Sequence, residues 1–348
     1  MKNFFNIVIS VIALSVVTGC GESRSAAARN DNGKINVTTT IFAPYDFVRQ
    51  IAGDRVNLAM LLPPGSESHS FEPSPRDIIT VQNSDIFIYI GGESENWADR
   101  ILQSMNTDNM KILALMNAVE VVEEEIVEGM EHHDDDHDDE HEHEGFFERI
   151  ASFFRNLFNR DRNHDQDHDH DEVVFDEHVW TSPKNTILIV RLITELLCEA
   201  DSANAGFYRQ NAAAYINALE ELDAAFEEVV ANARRRTIVF GDRFPFRYFA
   251  DAYRLEYFAA FPGCSTETEP SAATVAFLIN KIRAEQIPVI FHIELSNERM
   301  ADAISGETGA KKLLLHATHN ISKIDFDAGL GYLDLMRRNV ENLREALH

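Results

Sequence analysis

Residues 35–62 read INVTTTIFAPYDFVRQIAGDRVNLAMLL, and this stretch decides the fold class. The β-branched run at 35–41 predicts a strand, the pattern at 44–52 predicts a helix, and the apolar run at 56–62 predicts a second strand. Strands that alternate with helices in this way are typical of a parallel sheet in an α/β layer architecture. We therefore expect an α/β protein built on parallel sheets.

The same alternation continues along the chain and then repeats. Strands at 85–90 and 111–115, with helices at 75–83 and about 95–105, complete a first set of elements. A second set occupies the other half of the chain, with strands at 236–241, 256–260, 287–293 and 311–316 and helices at 244–254, 271–286, 297–306 and 329–347. Two such sets predict two lobes of the same α/β type.

A long helical stretch at about 204–234 lies between the two lobes. Its apolar residues recur every three or four positions and form one stripe, which consists of Tyr208, Ala212, Tyr215, Leu219, Leu222, Phe226 and Val229. We interpret this stripe as the face that packs on the core. A helix of about 30 residues is about 45 Å long at 1.5 Å per residue, enough to join the two lobes as one long rigid helix.

The first twenty residues predict an export signal. Lys2 precedes an apolar run at 4–17 that is short for a membrane span but fits the core of a signal peptide. The small residues before Cys20 resemble the lipobox of bacterial lipoproteins, in which that cysteine is acylated; the alternative is an ordinary secretory signal. We expect an exported chain held by lipid at Cys20, on the outer face of the cytoplasmic membrane or in the periplasm.

These features predict five segments along the chain. They are a lipoprotein signal peptide at 1–20, a tether at 21–33, an N-terminal β/α lobe at 34–180, a helical connector at 181–234 and a C-terminal β/α lobe at 235–348. Removal of Cys20 leaves Cys198 and Cys264, and no pattern in the sequence brings these two within bonding distance, so we favour two free thiols.

The balance of charges limits the partners. Lys and Arg total 31 against 58 Asp and Glu, which gives a formal net charge of −27. Such an acidic chain repels phosphate backbones, so we exclude nucleic acid as a partner. An acidic surface attracts cations instead, and the 14 histidines point to the same class of ligand.

An insertion rich in His, Asp and Glu at 131–172 carries about half of the net charge. Such a composition cannot form a packed core and predicts a solvated loop. The simplest interpretation is that the insertion only increases solubility, but imidazoles interleaved with carboxylates favour a role in collecting metal ions. The histidines of this auxiliary site are His132, His133, His137, His141, His143, His164, His168 and His170. Within the insertion, 146–158 has an amphipathic helical pattern that could dock on the protein itself, which we favour, on a partner or on a membrane.

Two further histidines follow predicted strands, and a third lies just before the helical connector. His69 lies in LLPPGSESHSFEPSPRDI at 61–78, His178 in DEHVWTSPKN at 176–185, and His316 in LLLHATHN at 313–320. Ligands of open α/β sheets bind at the carboxyl ends of the strands, so these imidazoles could meet in a cleft between the lobes. A lone histidine is more often structural, and the pattern by itself does not decide between the two roles.

Two of these segments resemble motifs of the zinc and manganese substrate-binding proteins of bacterial ABC importers. PPGSESHSFEPSPRD at 63–77 resembles the family pattern PGxxPHxYEPxPxD, and DEHVWTSPKN resembles DPHxWLDPxN. The resemblance implies two lobes joined by a rigid helix, with His69 and His178 as the first two metal ligands. The His-rich insertion before His178 resembles the one typical of zinc members.

The second lobe departs from the family pattern. The family has a His or Glu in an HDAFGY-like segment, where this chain has FGDRFPFRYF at 240–249 and Asp242 falls nearest. The family has an Asp in an LDP-like turn, where this chain has His316. We therefore expect the ligands His69, His178 and His316, with Asp242 as the fourth ligand and Glu67 or a water as its alternative. Glu294 and His319 are expected in the outer shell.

This ligand set favours zinc as the transported ion. Three neutral imidazoles with a carboxylate or a water suit tetrahedral Zn²⁺, whereas Mn²⁺ prefers more oxygen ligands and is less expected. Cu²⁺ and Ni²⁺ also satisfy the affinity order, so the metal available outside the cell decides much of the outcome.

The function expected from the resemblance is a receptor and not an enzyme. It captures Zn²⁺ and delivers it to an ABC permease with a cytoplasmic ATPase, as a monomer held at the membrane by its lipid. One alternative is a zinc buffer or surface adhesin that works mainly through the His-rich loop. A zinc hydrolase is a weaker alternative, because hydrolysis needs a carboxylate base and no HExxH helix is present.

Overall fold

The computed structural model describes residues 33–67, 71–130, 174–265 and 270–348. Several predictions concern residues outside these ranges: the signal peptide, Cys20, most of the tether, His69, the His-rich insertion with its eight histidines, and the amphipathic pattern at 146–158. No helix of the described ranges combines the length and the apolar character that crossing a membrane requires. Cys198 and Cys264 are both free thiols.

The first lobe is built on a four-stranded parallel sheet. Its strands are β1 (Asn36–Thr39), β2 (Asn57–Met60), β3 (Ile86–Tyr89) and β4 (Lys111–Ala114), in the spatial order β2-β1-β3-β4. The helices of this lobe are α1 (Phe42–Ala52), α2 (Pro75–Gln82) and α3 (Asn96–Ser104). Ser74 caps α2, since its hydroxyl accepts from the Asp77 N–H while the Asp77 carboxylate accepts from the Ser74 N–H.

The second lobe repeats this arrangement. Its parallel strands are β5 (Thr237–Phe244), β6 (Glu256–Pro262), β7 (Val289–His292) and β8 (Lys311–Leu314), in the order β6-β5-β7-β8. The helices that follow the connector are α6 (Arg247–Tyr253), α7 (Ala272–Glu285), α8 (Arg299–Thr308), α9 (Lys323–Asp327) and α10 (Tyr332–Leu347). The prediction of two lobes with parallel sheets is confirmed.

The strand order places a switch point in each sheet. In the first sheet β1 has β2 on one side and β3 on the other, and in the second sheet β5 lies between β6 and β7. Connections leave such a central strand and its neighbour in opposite directions, which opens a crevice at the carboxyl ends of the strands. The switch points lie between β1 and β3 in the first sheet and between β5 and β7 in the second, so the loops at this edge of each sheet are candidates for a site.

The connector consists of two packed helices, α4 (Pro183–Ala200) and α5 (Ala205–Ala231). At 1.5 Å per residue the 27 residues of α5 span about 40 Å. This helix packs against α1 of the first lobe and against α10 and α6 of the second. All seven residues of the apolar stripe are buried, as predicted.

One hydrophobic core runs through both lobes. Val37 of β1, Leu219 of α5 and Phe240 of β5 belong to the same continuous cluster of buried residues. The buried face of the connector therefore supplies the middle of this cluster, and smaller clusters of buried residues lie apart from it in each lobe.

A buried carboxylate also joins the lobes. Asp46 of α1 accepts hydrogen bonds from the backbone N–H of Tyr332 (2.7 Å), at the start of α10, and from Arg49 Nε (2.8 Å). Arg49 in turn donates to the carbonyl of Leu330 at 3.1 Å. A Cβ on Gly331 would lie 2.7 Å from Asp46 Oδ2, so this close approach requires glycine at position 331.

The substitution Asp46→Ala should lower the free energy of unfolding by about 3 kcal/mol. It leaves the buried backbone N–H of Tyr332 without its acceptor and removes the carboxylate that pairs with Arg49, and a buried donor without a partner is costly. Urea denaturation followed by circular dichroism measures the change. Asp54→Ala is the control, because the Asp54 side chain is 91% exposed and its loss should stay within about 0.5 kcal/mol. Equal losses for the two variants would contradict this role of Asp46.

Candidate metal centre

A small cavity lies between the lobes at the carboxyl ends of the strands. Its volume is about 30 Å³, which holds an ion with a water molecule but no organic ligand. The first lobe contributes the loop after β2, the start of the connector contributes one histidine, and the second lobe contributes the end of β5 and the loops after β7 and β8. The lining residues are Ser66, Glu67, His178, Arg243, Pro245, Ile293, Glu294, Leu295, Ser296, Ala317, His319 and Asn320.

His178 is held in place by the carboxylate two residues before it. Asp176 Oδ1 accepts from the backbone N–H of His178 at 2.8 Å and lies 3.2 Å from its Nδ1, and both side chains are buried. Burial lowers the pKa of His178, but the carboxylates of Asp176, Glu177 and Glu124 outweigh burial, so the pKa lies above its ordinary value. A Cβ on Gly263 would lie 3.3 Å from His178 Cε1, so the neighbouring loop also packs closely on the ring.

His319 enters the cavity from the loop after β8. Its backbone N–H donates to Glu294 Oε1 (3.1 Å), and the N–H of Ala317 donates to Glu294 Oε2 (2.7 Å). Burial raises the pKa of Glu294 to about 7, although these backbone donors act in the opposite direction. Glu294 thus holds the β8 loop in shape and also lines the cavity.

The rings of His178 and His319 lie next to each other. Their centroids are 5.7 Å apart with the planes at 71°, and Trp180 lies 5.5 Å from His178 and 5.1 Å from His319. Trp180 Nε1 donates to the carbonyl of Ala317 at 2.9 Å, which ties the start of the connector to the β8 loop. The two imidazoles are therefore brought together by a rigid aromatic support.

Hydrogen bonds join the loop after β2 to the loop after β8. Asn320 Nδ2 donates to the carbonyls of Pro63 (2.9 Å) and Ser66 (2.7 Å), and Gly65 donates its N–H to the carbonyl of Ile321 (2.8 Å). These bonds cross from one lobe to the other and close one side of the cavity. They also fix Ser66 and Glu67 at the cavity wall.

A charged pair spans the cavity from the two lobes. Arg243 Nη1 lies 3.7 Å from Glu67 Oε1, and Arg243 Nε donates to the carbonyl of Ser265 at 2.6 Å. The side chain of Arg243 is 10% exposed and that of Glu67 is 37% exposed. Arg243 was not singled out by the sequence, because a guanidinium is not a metal ligand.

Asp242, the fourth ligand expected from the sequence, is not among the residues that line the cavity. It accepts from the backbone N–H of Arg243 (2.8 Å), from that of Ile293 (3.2 Å) and from the hydroxyl of Ser296. Burial raises the pKa of Asp242, while these hydrogen bonds act against that rise. The irregular pairing of β5 with β6 between Phe240 and Arg243 presents Arg243 to the cavity instead.

His316, the third ligand expected from the sequence, is likewise not among the lining residues. Its backbone N–H donates to Asn339 Oδ1 at 2.7 Å and its carbonyl accepts from Asn339 Nδ2 at 2.8 Å, so α10 holds this residue away from the cavity lining. Burial and the guanidinium of Arg338 lower the pKa of His316 to about 4. The residue that turns into the cavity is His319, which follows Thr318 in its left-handed conformation (φ 56°).

His316 should make the protein sensitive to acid. A histidine with a lowered folded-state pKa stabilises the fold above about pH 6.5, and this contribution is lost as the pH falls toward 4, because the unfolded chain binds the proton first. The loss amounts to about 3 kcal/mol relative to a variant without the imidazole. Urea denaturation of the parent and of His316→Gln at pH 8, 6, 5 and 4 tests this, and a difference that stays constant over the series would contradict it.

Within the described ranges, no three His, Cys, Asp or Glu side chains are grouped closely enough to hold a metal ion. His178 and His319 supply two imidazoles, and Glu67 supplies a carboxylate on the same wall. His69, the first ligand expected from the sequence, is outside the described residues and follows Glu67 by two positions.

Two parallel α/β lobes that face an ion-sized cavity with the carboxyl ends of their strands define a two-lobed solute-binding protein. The family described as "Zinc-uptake complex component A periplasmic", or ZnuA, matches residues 37–346. The chain belongs to this family, whose members are components of zinc uptake and not enzymes.

Two relatives of known name match nearly all of the chain. The high-affinity zinc uptake system protein ZnuA of Bacillus subtilis (strain 168) is 29% identical over 347 residues, which cover 99% of this chain and 98% of that protein. The zinc-binding lipoprotein AdcA of Streptococcus pneumoniae (strain R6) is 29% identical over 348 residues. That match covers 99% of this chain but 61% of AdcA, so the chain spans about three fifths of the length of AdcA.

Solved structures share the fold. The Zn(II)-bound ZnuA-like domain of Streptococcus pneumoniae AdcA has a TM-score of 0.68 and 26% identity, with 90% of this chain and 99% of that domain covered. The metal-dependent lipoprotein YcdH of Bacillus subtilis has a TM-score of 0.69 at the same identity and coverage. Both support the two-lobed α/β architecture described above.

Proposed function

We propose that this chain is an extracytoplasmic zinc receptor, which captures Zn²⁺ in the cavity between its lobes and delivers it to an ABC-type permease. The observation that carries the proposal is the adjacent pair of imidazoles, His178 and His319, at the wall of an ion-sized cavity. The names of the relatives from Bacillus subtilis and Streptococcus pneumoniae, a zinc uptake protein and a zinc-binding lipoprotein, support zinc as the ion.

The proposed ligands are His69, His178 and His319, with Glu67 or a water in the fourth position. His319 takes the place that the sequence suggested for His316, because it lines the cavity and His316 does not. His178 has its Nδ1 beside Asp176, which leaves Nε2 for the metal and holds the ring in one orientation. Nitrogen ligands with one carboxylate or water fit tetrahedral Zn²⁺ better than Mn²⁺, which prefers oxygen.

The His-rich insertion at 131–172 is proposed to collect zinc for the cavity. The residues on its two sides form an antiparallel bridge between Glu123 and Phe175, and the N–H of Asp176 donates to the carbonyl of Val122 at 3.0 Å. The described residues that flank the insertion therefore lie close to His178. This position would let ions pass from a labile, many-sited segment to the cavity.

Export and anchoring are part of the proposal. The signal-like residues 1–20 and the lipobox-like residues before Cys20 support a lipid anchor on the outer face of the cytoplasmic membrane or in the periplasm. The description of AdcA as a lipoprotein supports the same placement. The partners proposed are a membrane permease and its cytoplasmic ATPase, and the receptor is proposed to act as a monomer.

Zinc titration and native mass spectrometry of residues 21–348, beside a variant lacking 131–172, test the proposed site. The bridge at Glu123 and Phe175 keeps the ends of the deleted segment together, so the body should fold without it. We expect the variant to keep one tightly bound zinc, and the further substitution His178→Ala to remove it. If tight binding disappears with the segment, the protein is a zinc buffer and the cavity is not the transport site.

A further inference from the structure

The cavity proposed for a cation contains a fixed positive charge. Arg243 is the one Lys or Arg among the described residues that line it, and its side chain is nearly buried. A guanidinium stays protonated in proteins, so it repels any metal ion that enters. A fixed positive charge in a cavity proposed for a cation therefore requires a functional explanation.

A hydrogen bond and an irregularity in β5 hold Arg243 in place. Its Nε donates to the carbonyl of Ser265 at 2.6 Å, and the irregularity in β5 directs Asp242 to the turn after β7 while Arg243 faces the cavity. The remaining end of the guanidinium reaches toward Glu67 across the interface of the lobes, with Nη1 and Oε1 3.7 Å apart. The cation is thus built into the wall and pairs with a carboxylate of the opposite lobe.

Glu67 is the carboxylate that an ion in the cavity would use most readily. The other carboxylate on the wall, Glu294, already accepts from the backbone N–H groups of Ala317 and His319. An ion between the imidazoles must therefore compete with Arg243 for Glu67. Ions that bind nitrogen well lose little in this competition, whereas ions that depend on oxygen ligands lose most of their stabilisation.

We infer that Arg243 is a specificity-determining residue, which rejects oxygen-preferring cations such as Mn²⁺ by holding Glu67. Its charge opposes every divalent ion equally, and only ions that gain enough from the nitrogen ligands overcome that repulsion. Zn²⁺ is retained through the imidazoles of His178 and His319. This inference rests on the proposed function and adds to it the means by which the site chooses between metals.

The test measures the affinities of the full mature chain for Zn²⁺ and Mn²⁺ by chelator competition. The binding measured in the His178→Ala variant is subtracted from each, which removes binding by other segments. We expect Arg243→Gln to lower the ratio of Zn²⁺ affinity to Mn²⁺ affinity by about tenfold or more, mainly through tighter Mn²⁺ binding. Adding Glu67→Gln to Arg243→Gln should abolish that gain. Arg243→Lys keeps the charge and should keep most of the selectivity.

Arg247→Gln is the matched control, because Arg247 lies four residues further on, pairs with Glu125 at 3.4 Å and does not line the cavity. Thermal unfolding of each metal-free variant shows whether the fold survives. An unchanged ratio in Arg243→Gln, or equal behaviour of Arg243→Lys and Arg243→Gln, would overturn the inference while leaving zinc capture intact. Absence of any His178-dependent zinc in the parent would overturn both the inference and the proposed function.

Discussion

Replacing His319 by alanine should weaken zinc binding at the cavity by at least about 100-fold. Loss of a residue that only supports a metal ligand costs about 10- to 100-fold in affinity, and loss of a direct ligand costs more. His319 and His178 are the two described imidazoles of the cavity, and their rings are 5.7 Å apart. Zinc affinity is measured by chelator competition in the variant that lacks 131–172.

His316→Ala is the matched control for this experiment. The two histidines lie three residues apart in one loop, but α10 holds His316 through Asn339 and away from the cavity lining. We expect His316→Ala to change zinc affinity less than about threefold while it alters stability. A large loss of zinc affinity in His316→Ala with little loss in His319→Ala would reverse the assignment and return the third ligand to the position first expected from the sequence.

Phe226→Ala should lower the free energy of unfolding by about 4 kcal/mol, in the range measured for large aromatic side chains removed from cores. Phe226 is fully buried in α5, and its ring centroid lies 4.9 Å from that of Phe249 and 5.4 Å from that of Tyr253. The substitution opens a cavity at the junction of the connector with the second lobe. Urea denaturation at pH 7, with the slope compared between variant and parent, measures the loss.

The outcome for Phe226 also tests whether the two lobes share one core. If they do, the variant should unfold in one transition at a lower urea concentration, with both lobes affected. Leu188→Ala on α4 is the control, since Leu188 is 45% exposed and its truncation should cost less than about 1 kcal/mol. Two separate transitions in Phe226→Ala would contradict a single continuous core.

Most of the fold could be predicted from the sequence, because buried apolar residues recur with the period of a helix or form the short apolar runs of a strand. The runs at 35–41 and 56–62 became β1 and β2, and the stripe from Tyr208 to Val229 became the buried face of α5. What periodicity could not supply is that α4 packs beside α5 and that the core continues through both lobes. Those features depend on which apolar faces meet, and one sequence carries no direct record of such long-range pairing.

The candidate site was predicted less completely, because loops do not follow the alternation of strands. His316 and His319 look equivalent in LLLHATHN, and the left-handed conformation of Thr318 separates their directions. An irregularity in β5, which no residue pattern predicts, directs the side chains of Asp242 and Arg243 to different places. Arg243 could not be predicted as part of the site, because a guanidinium is not a metal ligand and no metal-ligand motif includes it.

The hydrogen bonds between the 63–66 loop and the 319–321 loop affect how long an ion would stay in the cavity. Because one side of the cavity is closed by hydrogen bonds between the lobes, we expect spontaneous departure of an ion bound there to be slow. A dissociation constant of about 1 nM with an association rate constant of about 10⁷ M⁻¹s⁻¹ corresponds to a residence time of about 100 seconds. Under the proposed function, import faster than one ion in that time requires the permease to accelerate release, so we expect the docked complex and not the free receptor to set the rate of uptake.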